Sequence, residues 1–181
     1  MKRILAITVL YTVINVCQAQ DNELSISYSP LSVYGLEKFI DDIIPDQNTY
    51  RYLGAFNLDY YHYVNPWLKI GVNTMYDKAS VEGLSYSNQV YNTSKTAFVI
   101  APQVDFEYVR HENFRLSSGL SVGYGVEKHK DNNEIGYNEF IDGITFHANL
   151  ISFRWGKNHG LAGCLGAGYK GFVNIGYFVR F

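Results

Sequence analysis

Residues 96–109 read TAFVIAPQVDFEYV, and their hydropathy alternates along the stretch. Phe98, Ile100, Pro102, Val104, Phe106 and Tyr108 share one side, while Ala97, Val99, Ala101, Gln103, Asp105 and Glu107 share the other. A period of two belongs to extended chain, in which successive side chains point to opposite faces. The pattern recurs at 114–127, where Leu116, Leu120, Val122, Tyr124 and Val126 oppose Arg115, Ser117, Gly119, Ser121, Gly123 and Gly125. It recurs again around Trp67, with Leu68, Ile70, Val72 and Tyr76 against Lys69, Gly71, Asn73 and Asp77. Earlier, Phe56, Leu58 and Tyr60 oppose Asn57, Asp59 and Tyr61.

Extended outward, this reading predicts eight strands at 23–30, 50–63, 67–80, 96–109, 114–127, 142–155, 160–169 and 172–181. Alternation slips at LISFRW (150–155), which predicts a bulge or an interface position in the sixth strand. The connections VNP (64–66), RHEN (110–113) and GKNH (156–159) are short and polar. Those near 31–49, 81–95 and 128–141 are long, and the final one, KG (170–171), is brief. Short turns at one end and longer loops at the other are the layout of an outer-membrane barrel. An even number of strands returns both termini to the turn side. Within the first loop, Leu36, Phe39, Ile40, Ile43 and Ile44 fall at helical spacing before Pro45, predicting a short amphipathic helix from Leu36 to Ile44.

The first residues have a different character. Lys2 and Arg3 precede the 13-residue apolar run ILAITVLYTVINV (4–16), and Cys17 and Ala19 then supply small residues. This pattern predicts a secretory signal peptide at 1–19 and a barrel domain at 20–181. Without Lys2 and Arg3 the formal charge moves from -2 to about -4, a balance that does not suit nucleic acid. Cys164 would be the sole remaining cysteine, so no internal disulfide is expected. Sixteen tyrosines and eleven phenylalanines favour strands.

Alternation alone does not say which face points outward. Side-chain size helps, because the polar faces are small: Gly119, Ser121, Gly123 and Gly125 in one strand, Ala162, Cys164, Gly166 and Gly168 in another. A narrow eight-stranded barrel is crowded inside, and small residues let the far wall approach. Aromatic residues also gather near strand ends. Trp67, Tyr108, Phe114, Phe153 and Trp155 fall toward the turns, and Tyr52, Tyr76, Phe98, Tyr124 and Tyr169 toward the loops. Two girdles flanking an apolar band fit a membrane with two interfaces. The expected surroundings are therefore outer-membrane lipid, in preference to the water around a secreted soluble barrel.

The last strand sharpens this. Asn174-x-Gly176-x-x-Val179-x-Phe181 is similar to the terminal signal by which the barrel-assembly machinery recognises its clients. With it, the mature chain resembles the small eight-stranded outer-membrane barrels of the OmpA/OmpX/OmpW-like kind. The resemblance implies an all-β, antiparallel up-and-down transmembrane barrel in the bacterial outer membrane, with that machinery as a partner.

The expected inner faces carry Asp59, Lys69, Asp105, Glu107, Arg115 and His147. Charges held away from water must pair, so these residues are read as a polar plug filling the barrel, in preference to a selectivity constellation. FHAN (146–149) resembles the His-x-Ser-Asn stretch of the lipid A deacylase PagL, but Ala148 stands where that hydrolase needs its serine. A lipid-modifying enzyme is accordingly disfavoured, and no catalytic residue is assigned. His62, His111, His129 and His159 lack metal-ligand spacing, and no metal or cofactor is expected. The remaining readings are a structural or surface-interaction barrel, whose Tyr-, Ser- and Asn-rich loops meet an extracellular partner, and a passive channel for apolar or small solutes.

Overall fold

The computed structural model describes residues 22–32, 49–84, 90–131 and 138–181. They form nine strands: β1 (Asn22–Ser29), β2 (Thr49–Tyr52), β3 (Ala55–Asn65), β4 (Leu68–Leu84), β5 (Val90–His111), β6 (Phe114–Asp131), β7 (Asn138–Trp155), β8 (His159–Gly168) and β9 (Val173–Arg180). All pairings are antiparallel. Neighbours in sequence pair around the sheet, β9 returns to β1, and β4–β5 closes the ring.

Both β2 and β3 lie along β4, so they are two halves of one strand and the ring has eight members. The break between them is at Leu53 and Gly54. Gly54 has φ +96°, a left-handed conformation that suits glycine, and any Cβ there would overlap the Tyr28 ring. The Leu53 N–H still donates to the Lys78 carbonyl at 3.3 Å, which keeps the two halves in register.

The expected faces are the observed ones. Ile26, Leu58, Ile100, Leu120 and Ile175 point outward and are exposed, whereas Glu23, Lys69, Asp105 and His147 point inward with no accessible surface. A soluble barrel would invert this arrangement, because each large apolar side chain left in water forgoes about 1.5–3 kcal/mol of burial. An apolar exterior around a polar interior is a transmembrane β-barrel.

Two expectations change. The loops expected at 81–95 and 128–141 are mostly strand: β4 pairs with β5 out to Leu84↔Val90, and β6 with β7 out to Lys130↔Asn138. These ends are rich in Ser, Thr, Asn and Lys, because beyond the lipid neither face has to be apolar. Two loop-side aromatics do not join a girdle. Tyr169 is buried inside the barrel, and Tyr52 is half-buried with its hydroxyl on the Ser29 carbonyl and the Ser32 hydroxyl. Each finds a buried hydrogen-bond partner that a lipid-facing position would not supply. The helix expected at 36–44 and the signal peptide expected at 1–19 lie outside the described residues.

The bulge expected near 150 is present. The β7–β8 register shifts between Asn149 and Ile151, so Leu150 and Ile151 both face out. From there Ser152 and Arg154 take the inner face. One inserted residue thus sends Arg154 into the barrel rather than into lipid.

Candidate functional site in the barrel interior

Glu23 is the hub of the turn-side half. β1 begins one residue before it, and its carboxylate is fully buried between cations from three other strands. Arg154 Nε donates to Glu23 Oε1 at 2.8 Å, Lys69 Nζ is 3.5 Å from the same oxygen, and Arg115 Nη1 lies 3.8 Å from Oε2. Lys69 is shared further, at 3.8 Å from Asp105 Oδ2 and 3.7 Å from Glu107 Oε1. Its ammonium also sits 4.2 Å from the centre of the Tyr61 ring.

Two tyrosines bind the charges together. The Tyr63 hydroxyl lies 2.7 Å from Glu107 Oε1 and 3.0 Å from Glu23 Oε2, while Arg115 Nη1 donates to it at 3.1 Å. The Tyr61 hydroxyl donates to Asp105 Oδ2 at 3.0 Å, and Asn149 donates to the other Asp105 oxygen at 3.3 Å. Phe178, fully buried, has the Arg115 and Arg154 guanidiniums 5.2 and 5.9 Å from its ring centre. The Glu23, Asp105 and Glu107 carboxylates therefore face the Lys69, Arg115 and Arg154 cations in equal number, and the cluster is neutral.

A second layer lies toward the loops. Lys170 Nζ reaches down from the β8–β9 turn to donate to Asp59 Oδ1 at 2.7 Å and to Gln103 Oε1 at 2.9 Å. Asn73 and Gln103 donate to the same Asp59 oxygen at 2.9 and 3.1 Å. Asn57 donates to Asn174 over the intervening β1 at 2.9 Å. Higher still the interior turns apolar, with Ala55, Met75, Val99, Ala101 and Tyr169 packed together.

The small inner residues now have specific partners. A Cβ on Gly119 would overlap the Asp105 carboxylate and the Val104 carbonyl, and one on Gly166 would press on the His147 ring. Glycine is present where the neighbouring strand leans a polar side chain over it, Asp105 of β5 over Gly119 and His147 of β7 over Gly166.

No family model matches the chain, and no curated protein matches it. Among solved structures it is similar to the attachment invasion locus protein Ail of Yersinia pestis, at 14% identity and TM-score 0.49. It is also similar to the N-terminal β-barrel domain of Pseudomonas aeruginosa OprF, at 11% identity and TM-score 0.46. Ail in complex with the heparin analogue sucrose octasulfate gives 16% identity and TM-score 0.47. Each likeness covers 89% of this chain and 98% of the other. The barrel reading itself stands on the closed pairing and the inverted faces described above.

All six residues expected in the interior plug are buried there. Five of them join the ion pairs: Lys69, Asp105, Glu107 and Arg115 in the turn-side cluster, and Asp59 with Lys170 above it. His147 lies apart, its ring tilted against Tyr169 with centroids 5.6 Å apart. Its cross-strand partner Ser121 donates to the His147 carbonyl at 3.4 Å and not to the ring. No serine hydroxyl bonds the His147 ring among the described residues. Among the described residues, no group of three or more His, Cys, Asp and Glu is arranged to hold a metal ion.

The sequence reading omitted Glu23, Arg154, Lys170, Tyr61 and Tyr63 as plug residues. Alternation put Tyr61 on an inner face, and the same parity extended along the strands would reach Tyr63 and, with Leu24 and Ile26 outward, Glu23. Arg154 was hidden by the bulge, and Lys170 by its place in a two-residue turn.

Proposed function

We propose that the protein is a non-enzymatic barrel of the bacterial outer membrane, closed on its turn side by the charge-neutral plug, with a structural or surface-interaction role. The observation that carries this reading is the neutral cluster of Glu23, Lys69, Asp105, Glu107, Arg115 and Arg154, in which every charge is buried and faces an opposite one. A wide aqueous pore would keep such groups hydrated, and a hydrolase would need a nucleophile open to its substrate. In planar bilayers the full barrel is expected to show no steady conductance. A large, reproducible open channel would overturn the plug.

In the same reading, residues 1–19 are a cleaved export signal, and Asn174, Gly176, Val179 and Phe181 form the signal for the assembly machinery. Asn174 and Gly176 also serve the fold: Asn174 holds Asn57, and a Cβ on Gly176 would overlap the Ile26 carbonyl. Phe181 is the cleaner probe, because it follows the last strand residue. Phe181→Ala is expected to slow insertion in pulse-labelled cells while leaving the urea midpoint of the folded barrel nearly unchanged. Equal insertion rates for Phe181→Ala and the parent would remove the signal from the proposal.

The long hairpins beyond the girdles are the proposed contact surface. The sequence around these hairpins, SYSNQVYNTS (85–94) and NNEIGYN (132–138), is rich in Tyr, Ser and Asn, side chains that adapt to a partner through rigid rings and short hydrogen-bonding groups.

A further inference from the structure

The barrel rim is uneven. β4 to β7 run for 17 to 22 residues, whereas β8, β9 and β1 have 10, 8 and 8. Pairing between β7 and β8 stops at His147↔Gly168, and the last hydrogen bond across that seam runs from the Tyr169 N–H to the Phe146 carbonyl at 3.2 Å. Beyond it, residues 138–146 of β7 pair with β6 alone among the described residues. A cavity of about 430 Å³ sits at this level, bordered by Met75, Val99, Gly125, Gly143 and Tyr169 and reaching Phe146 at the seam. That size lies within the range of small-molecule sites.

Its walls have a definite chemistry. Methionine, valine, isoleucine and aromatic surface suits an apolar tail. Asp77 and Glu127 border the space from the inner face and Asp142 from the outer side of the rim, opposite the outward Val126, and no Lys or Arg lines it among the described residues. Ser32 donates to Asp77, and Glu127 meets His129 at 2.5 Å. Lys170 points away from the chamber toward Asp59, and the Lys128 ammonium lies over the Phe140 ring. The wall is thinnest where Gly125 and Gly143 face each other across β6 and β7. A Cβ added at Gly143 would meet nothing within 4 Å.

We propose that this chamber binds small cationic amphiphiles, an alkyl or aryl tail carrying an ammonium group, which enter through the seam between β7 and β8. The acidic border selects the charge of the head and the apolar wall takes the tail. The plug beneath makes the site blind, so binding and conduction are separate properties and can fail separately.

Methionine supplies the reporter. The chain has two, and Met75 is the one that borders the cavity. The barrel, labelled with ¹³C-methyl methionine in phosphatidylcholine nanodiscs, is titrated with octyltrimethylammonium and separately with octanoate; Met75→Leu assigns the resonance. The Met75 methyl is expected to shift saturably with the ammonium and at least about tenfold more weakly with the carboxylate, as one charge contact of ordinary strength predicts. Gly143→Phe, which fills the chamber, is expected to abolish the shift, and Glu127→Gln with Asp142→Asn to erase the preference. Val99→Phe serves as a second filling substitution should Gly143→Phe lose its heat-modifiable migration. A Met75 resonance that does not move, an equal response to octanoate, or a titration untouched by filling would each overturn the proposal.

Discussion

Glu23→Ala is expected to destabilise the barrel by about 3–5 kcal/mol, the range for removing one partner from a buried charge network. The carboxylate holds Arg154 at 2.8 Å and lies 3.5 Å from Lys69 and 3.8 Å from Arg115. Without it, three buried cations face only Asp105 and Glu107, and the Arg154 Nε loses its acceptor. Glu23→Gln keeps an acceptor for Arg154 but not the charge, so it is expected to fall between the parent and Glu23→Ala. Urea unfolding in lipid vesicles, followed through Trp67 and Trp155, measures this directly. A loss below about 1 kcal/mol would mean that the cations are hydrated and the cluster is no plug.

The second large effect concerns Lys170. Lys170→Met leaves Asp59 buried with only the Asn73 and Gln103 amides as donors, and the expected loss is again about 3 kcal/mol. The decisive comparison is the double variant Asp59→Asn with Lys170→Met. It removes both charges at similar volume, and a buried pair replaced in this way is often neutral. Recovery of most of the stability would show that the single variant suffers from an orphaned carboxylate, not from lost packing. A double variant no better than the sum of the singles would place the value of Lys170 in its aliphatic stem instead.

Much of this barrel was legible in the sequence because period two is a local property. Lys69 lies inside because Leu68 and Ile70 lie outside, and no knowledge of the far wall is needed to say so. The same logic placed Asp59, Asp105, Glu107, Arg115 and His147 on the inner face, as observed. It failed where parity changes or strand ends. The bulge at Leu150 and Ile151 shifts Arg154 inward, and Lys170 sits in a turn where alternation says nothing. Tyr169 and Tyr52 were read as girdle residues because aromatic position along a strand does not report which face they take.

The sequence by itself determined the class of the molecule: strands in even number, an apolar face, a small polar face and short turns at one end. Each of these follows from residues close together in the chain. The tertiary structure decided which charge meets which. Glu23 meets Arg154 across 131 positions, and Asp59 meets Lys170 across 111. It also decided where pairing between β7 and β8 stops, at His147 and Gly168, because closure fixes the register of each pair. Side-chain polarity selects a face locally, whereas partners and openings depend on the register of the whole ring, which no short stretch of sequence encodes.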